Sequence, residues 1–273
     1  MRRTVRGASA LLAAGMLVVG LGACGDDDDE AQTDDGAAAG EGELGAGETV
    51  DATAFCDAAI AVDAVSVGLE SGESTPDDYE QALQAAEDSA PDELAEAVGT
   101  MVTEARAMMA APETEDGPPP MPGEAFYPAS VEVAGYLADN CDVETLDVTA
   151  KNYEFEGIGE TVPAGTTVIN FANDGTEFHE IALVKLAEGE ERPLEELMAL
   201  PEEEANALIT EKAFSFAPPG TATFVTAELD PGRYVAICFV PIGATPEALE
   251  SGATLNDEDG HFMHGMVTEF EVA

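Results

Sequence analysis

Asp230-Pro231-Gly232-Arg233-Tyr234-Val235-Ala236-Ile237-Cys238-Phe239-Val240 reads as a tight turn feeding a strand that carries a cysteine near its end. Pro and Gly punctuate the start, and the aromatic and β-branched run after them has strand composition. Downstream, Gly260-His261-Phe262-Met263-His264-Gly265-Met266 sets His261 four intervening residues before Met266. Upstream, Asn170-Phe171-Ala172-Asn173-Asp174-Gly175-Thr176-Glu177-Phe178-His179 ends on another histidine. The chain has three histidines, all in this C-terminal half. Two imidazoles, a thiolate and a thioether are the donor set that holds a single redox-active copper, with the thioether as a weak axial ligand that tunes the potential. Two oxidation states held with little rearrangement call for ligands on loops clamped between strands.

The flanking sequence supplies those strands. Val162-Pro163-Ala164-Gly165 turns into the β-branched run Thr166 to Phe171, Thr221 to Thr226 alternates, and Met266 to Val272 closes the chain with period two. Short strands between Gly/Pro turns predict an antiparallel β-sandwich.

These residues resemble the cupredoxin family of blue-copper Greek-key sandwiches over residues 144–273. The family's first ligand loop reads Phe-x-Asn-x-Gly leading to histidine, as in Phe171, Asn173, Gly175 and His179. Its second reads Gly-x-Tyr before a strand ending in cysteine, as in Gly232, Tyr234 and Cys238. Its closing pattern matches Gly260, His261, Phe262, Gly265 and Met266. The resemblance implies one copper ion held by His179, Cys238, His261 and Met266. It also implies single-electron transfer with a redox protein partner.

The sequence departs from the family pattern in two places. Pro241 to Gly260 separate the cysteine from its histidine where most cupredoxins place only a few residues. Within that insertion, Thr245-Pro246-Glu247-Ala248-Leu249-Glu250 reads as a capped helical turn. The residue after the first histidine, commonly an Asn that ties the ligand loops together, is Glu180, a carboxylate positioned to act on the ligands from outside their circle. His264 reads as a supporting or solvated histidine, since His261 has the better spacing to Met266. Copper storage or delivery, and a metal-free interaction module, are the alternative functions. Three histidines do not supply the additional centres of a multicopper oxidase, and no hydrolase triad is spelled out, so the chain does not read as an enzyme.

Residues 1–23 read as a leader: Met1-Arg2-Arg3-Thr4-Val5-Arg6 is basic, and Ala8 to Leu21 is apolar but too short to span a bilayer comfortably. Its end, Leu21-Gly22-Ala23-Cys24, resembles the lipobox of bacterial lipoproteins. That resemblance implies lipid on Cys24 and a protein on the outer face of the bacterial cell membrane. An ordinary secretion signal is the alternative. Residues 24–50 are acidic and rich in Gly and Ala, which predicts a disordered tether with a span of roughly 25–30 Å or more. With Cys24 lipidated and Cys238 on metal, Cys56 and Cys141 are left to pair in an oxidising compartment.

Residues 51–143 change to a helical period. Phe55, Ala59, Val62 and Leu69 share a face, and Thr75-Pro76-Asp77-Asp78 is an N-cap with proline at the first position. Pro91-Asp92-Glu93 opens a further helix, and a last one is predicted over Ser130 to Asn140. The fold class is therefore a small all-α helical bundle followed by an all-β Greek-key sandwich. The bundle reads as a spacer or as a layer docked on the sandwich or on a partner. Two short helices starting at Pro193 and Pro201 are predicted to cover one side of the sandwich or shape a partner surface.

The formal charge is −48. It becomes −51 without the leader, which carries Arg2, Arg3 and Arg6 and no acid. Such a surface excludes nucleic acid as a partner. Because acids occur in every segment, solubility in a saline habitat accounts for the charge better than steering toward a basic partner.

Overall fold

Period-two burial along the central strands assigns each of their faces to a different layer. The computed structural model describes residues 52–111, 120–251, 253, 255–256 and 259–273. The leader and tether expected over residues 1–50 lie outside them, as do residues 117–119 of a proline-rich loop.

One sheet runs, in spatial order, β2 (Glu154–Glu156), β1 (Glu144–Lys151), β4 (Gly165–Asn173) and β7 (Ala222–Leu229). The other runs β3 (Thr161–Val162), β9 (Val267–Val272), β8 (Gly232–Ile237), β5 (His179–Leu186) and β6 (Ile209–Ala217). The sandwich is mixed rather than wholly antiparallel. β1 pairs parallel to β4, with Leu146 opposite Ile169, and β3 pairs parallel to β9. The reason is topological: after the β1–β2 hairpin the chain crosses to the other sheet as β3 and returns as β4, so β1 and β4 run the same way.

Ile169 and Phe171 of β4, Ile181 and Leu183 of β5, and Tyr234 and Ala236 of β8 meet between the sheets. Cys238 continues the phase of Tyr234 and Ala236 one residue past β8, so it points into the same core. The alternate residues face outward. Val184, Val235 and Ile237 pack against Leu194 and Leu197 of the short helix α5 (Leu194–Met198), with Leu200 and Leu208 on either side of α6 (Glu202–Asn206) completing the cover. The expected helical pair thus covers the outer face of the second sheet.

Outward-facing Val168 of β4 is buried among helices. These are α1 (Ala52–Ser71), α2 (Pro76–Ser89), α3 (Ala95–Ala110) and α4 (Phe126–Asn140). Thr75 caps α2 through a capping box: its hydroxyl accepts from Asp78 N–H at 3.2 Å, and Asp78 accepts from Thr75 N–H at 2.9 Å. α4 begins four residues before the predicted Ser130, because Pro128 falls in its first turn, where no N–H is required. Phe55, Leu83, Val98, Val102, Val133 and Leu137 form the helical core that Val168 joins. The bundle is therefore docked on the sandwich. Cys56 and Cys141 are disulfide-bonded across 85 residues of sequence with Cα atoms 5.7 Å apart, joining α1 to the end of α4. On the chain-entropy model such a loop contributes about 4 kcal/mol, which compensates for a core rich in alanine.

Two polar contacts seat the helices on the edge strand β7. Ser130 Oγ accepts from Phe224 N–H at 3.2 Å. Asp63 accepts from Thr226 N–H at 2.7 Å and from its hydroxyl at 2.8 Å. Edge donors that would otherwise be free to pair with another chain are used here. By length and composition alone Ala52–Leu69 of α1 is apolar enough to cross a membrane, yet Asp63 and the buried Phe55 tie it to the folded unit.

Burial pushes the Asp63 carboxyl up to about 6 against the hydrogen bonds from Thr226. A folded-state value above the unfolded one means that this group's stabilisation is complete below about pH 4 and is lost as pH rises through 6. Asp63→Asn, whose carbonyl accepts the same hydrogen bonds, is therefore expected to gain on the order of 2 kcal/mol over the parent between pH 4 and pH 7. Urea midpoints at the two pH values check this, and an equal difference at both would contradict it.

Candidate metal centre

Asn173 shapes the approach to the first histidine. It is buried at the end of β4, donates from its amide to the carbonyls of Glu177 (2.9 Å) and Ala217 (2.7 Å), and accepts from Gly175 N–H at 2.8 Å. That loop delivers His179 to the start of β5, in phase with Ile181 and Leu183 and fully buried. Gly175 passes so close to the imidazole that a Cβ there would sit 2.5 Å from His179 Nε2.

The second half of the centre is assembled by main-chain hydrogen bonds. His261 N–H donates to Val240 C=O at 2.9 Å, and Phe262 N–H donates to Cys238 C=O at 2.9 Å. Met266 N–H donates to His261 C=O at 3.1 Å, and Cys238 N–H donates to Met266 C=O at 3.2 Å. His261–His264 is a single 3-10 turn. Gly265, at φ 110°, reverses the chain so that Met266 comes back beside the cysteine. The long insertion is pinched at its base by a bridge between Pro241 and Gly260 and by Ile242 N–H donating to Asp259 C=O at 3.0 Å. Its expected helical turn is present as α7 (Pro246–Glu250), capped by the Thr245 hydroxyl.

Three donor atoms converge as a result. His179 Nδ1 and His261 Nδ1 lie 3.0 Å apart, and Cys238 Sγ is 3.4 Å from the latter and 4.0 Å from the former. All three residues are fully buried, as is Met266. Ligands about 2.0–2.3 Å from a common ion stand roughly 3.5 Å from one another in a trigonal arrangement, so the cluster is of the right size for one metal ion. Its protonation chemistry fits as well. Burial and the neighbouring imidazole pull His179 down to about 4, and burial outweighs Glu177 in lowering His261, so both rings are neutral with lone pairs available. Burial, with the nearby Glu180 charge, pushes the Cys238 thiol up to about 12. It ionises only when a cation replaces its proton.

The side chains around this cluster divide the predicted supporting residues. Glu180 accepts from Phe239 N–H at 2.8 Å, and its own N–H points at Cys238 Sγ at 3.5 Å. It thus bridges the histidine strand and the cysteine loop, and burial raises its carboxyl to about 7. His264 stands outside the donor cluster, paired with Asp259 at 2.7 Å. Glu177 is the residue that sequence reasoning missed. Its carboxylate meets His261 Nε2 at 3.1 Å, accepts from the Tyr153 hydroxyl at 2.9 Å and accepts from Gly243 N–H. Burial alone would raise its pKa, but these three donors hold it below the ordinary range. Its position two residues before a ligand histidine was the available signal.

The C-terminal half is a two-sheet β-sandwich that carries the donor cluster. Solved structures similar to this chain include auracyanin from Roseiflexus castenholzii, at 26% identity over 47% of this chain and 96% of that one with a TM-score of 0.31. Auracyanin A, a blue copper protein from Chloroflexus aurantiacus, is 24% identical over 48% and 99% with a TM-score of 0.27. Rusticyanin from Thiobacillus ferrooxidans is 18% identical over 48% and 78% with a TM-score of 0.29. No protein-family model matches the sequence, and no curated protein is significantly similar to it. The β-sandwich gives each residue of the family resemblance a structural place. Phe171 fills the core, Asn173 and Gly175 form the first loop, Tyr234 sets the phase of Cys238, and Gly265 makes the final turn.

Gly175→Ala is expected to displace the His179 ring, weakening metal binding at least tenfold and costing about 1–3 kcal/mol of stability. Metal titration and denaturant unfolding of the variant measure both, and parental values would show that the loop yields without moving the ligand.

Proposed function

We propose that the protein is a type 1 copper electron carrier held by lipid on Cys24 at the outer face of the bacterial cell membrane. The observation that carries the electron-transfer reading is the convergence of His179, Cys238 and His261 donor atoms within 4.8 Å of one another in a buried core, with Met266 alongside. One copper ion bound there would supply a one-electron couple between Cu(II) and Cu(I). His179, Cys238 and His261 would provide the strong donors and Met266 a weak thioether donor. The surrounding sandwich excludes water and holds the donors in a fixed arrangement.

The pinned insertion favours electron transfer over metal storage or delivery. A ligand loop closed by the Pro241–Gly260 bridge, and held again by Phe178 N–H donating to Ala244 C=O at 2.7 Å, limits the rearrangement that would slow an electron. Apolar side chains are exposed beside the donor residues at this end. Phe239 and Met263, next in sequence to Cys238 and close to His261, are 48% and 60% exposed. A redox partner docking on that end would meet apolar side chains one residue from Cys238 and two residues from His261. The lipobox-like Leu21-Gly22-Ala23-Cys24 and the acidic stretch after it support the anchoring, and the Cys56–Cys141 disulfide suits an oxidising extracytoplasmic setting.

Addition of Cu(II) to the purified protein is expected to produce an intense thiolate-to-copper charge-transfer band at one equivalent, with reversible voltammetry. Cys238→Ser should abolish the band, and a parent protein without one would end this reading. Anchoring has its own check. Cys24→Ser should release the protein from the membrane fraction of a bacterial host, and unchanged fractionation would count against the lipid.

A further inference from the structure

We propose that Glu177 is the positioning residue for His261 and, through Gly243, the tie that makes the inserted loop part of the copper centre. The proposal rests on the copper reading above and concerns how this chain holds that centre. One carboxylate oxygen of Glu177 receives His261 Nε2–H at 3.1 Å and Gly243 N–H, and the other receives the Tyr153 hydroxyl at 2.9 Å. A carboxylate has no proton to give to Nε2, so this contact selects the tautomer with hydrogen on Nε2 and the lone pair on Nδ1. Nδ1 is the atom that faces Cys238 Sγ and His179 Nδ1. His179 has no comparable support among the described residues, where its Nε2 is buried without a hydrogen-bond partner. The two imidazoles therefore differ in kind, one backed by an anion and the other backed by packing.

Gly243 extends the consequence to the insertion. It lies just past Pro241, where the long loop leaves the end of the sandwich, and its N–H shares an oxygen with His261. The loop base and the imidazole are thus fixed to the same atom. Tyr153 completes the arrangement from the other side. Its ring packs edge-on against His261 with centroids 5.0 Å apart, and its backbone adopts φ 65°, a left-handed conformation that a non-glycine residue holds under strain. Strain at that position persists because the hydroxyl and the ring are both engaged. An anion hydrogen-bonded to a ligand imidazole raises its basicity and favours the more highly charged ion, so Glu177 also biases the centre toward Cu(II).

Three measurements on the protein, Glu177→Gln and Glu177→Ala test this. Before copper is added, nitrogen NMR of the parent should show His261 with its proton on Nε2, and hydrogen exchange should show a protected Gly243 amide that loses protection in Glu177→Ala. With copper, Glu177→Gln keeps the shape and removes the charge. It should retain the charge-transfer band while the ratio of Cu(II) to Cu(I) affinity falls at least tenfold, equivalent to a rise of 59 mV in potential. A parent His261 protonated on Nδ1 overturns the proposal, as does an unchanged affinity ratio in Glu177→Gln, whatever happens to Gly243. A parent protein lacking the charge-transfer band sinks the copper reading instead, and the tautomer and amide measurements still decide the role of Glu177.

Discussion

Everything at the ligand end depends on the hydrogen bonds that lay His261–Met266 onto the end of the cysteine strand. Cys238 and His261 are separated by a twenty-residue insertion, Pro241 to Gly260, yet His261 N–H reaches Val240 C=O and Phe262 N–H reaches Cys238 C=O, both at 2.9 Å. With the Pro241–Gly260 bridge, these contacts close the insertion at its neck. The entropy of closing a loop grows only with the logarithm of its length, so a few well-placed main-chain bonds are enough to make a long connection behave like a short one. What the insertion does beyond the neck then matters little to the positions of the donors.

The same separation of roles explains the helices. A sheet whose outer face carries Val168 and Phe224 needs a cover, and α1–α4 supply one from the sequence that precedes the first strand. Their own core is small-residued, and the cover is secured by the Cys56–Cys141 disulfide and by polar contacts from Asp63 and Ser130 to β7. Val168 and Ile169 lie on opposite sides of β4, as do Phe224 and Val225 of β7, so the helical layer and the core that carries the donors are joined through both strands.

Much of this was legible in the sequence, for identifiable reasons. The strand that carries Cys238, the N-cap at Thr75 and the capped turn at Thr245 are local patterns, and local patterns survive folding. Two features were hidden because they depend on pairing between distant segments. The parallel register of β1 with β4 follows from a crossover that no periodicity records. The docking of the helices is written in isolated residues such as Asp63, which reads as one acid among many until Thr226 is placed beside it. The charge of the chain concealed Glu177 in the same way. Among 57 acidic residues, a carboxylate that contacts a ligand is indistinguishable by composition from one that faces water.

The segment Glu177-Phe178-His179-Glu180 brings these points together. His179 contributes a donor, and the two acids on either side of it reach different partners. Glu177 meets His261 and Gly243, and Glu180 meets Phe239 N–H beside the cysteine. Phe178 between them is buried, stacked on Phe216 with centroids 5.4 Å apart, and its N–H donates to Ala244 C=O. Four consecutive residues thus contact the cysteine loop, the histidine turn and the insertion that separates them. Glu180 ties the histidine strand to the cysteine loop, because a carboxylate accepts a main-chain N–H as an amide carbonyl does. Glu177 adds a carboxylate within hydrogen-bonding distance of His261 Nε2, whereas the Glu180 carboxyl reaches the main chain at Phe239 and its backbone N–H faces Cys238 Sγ. A cluster built this way is braced by carboxyl groups on two sides, and both come from the segment that carries His179.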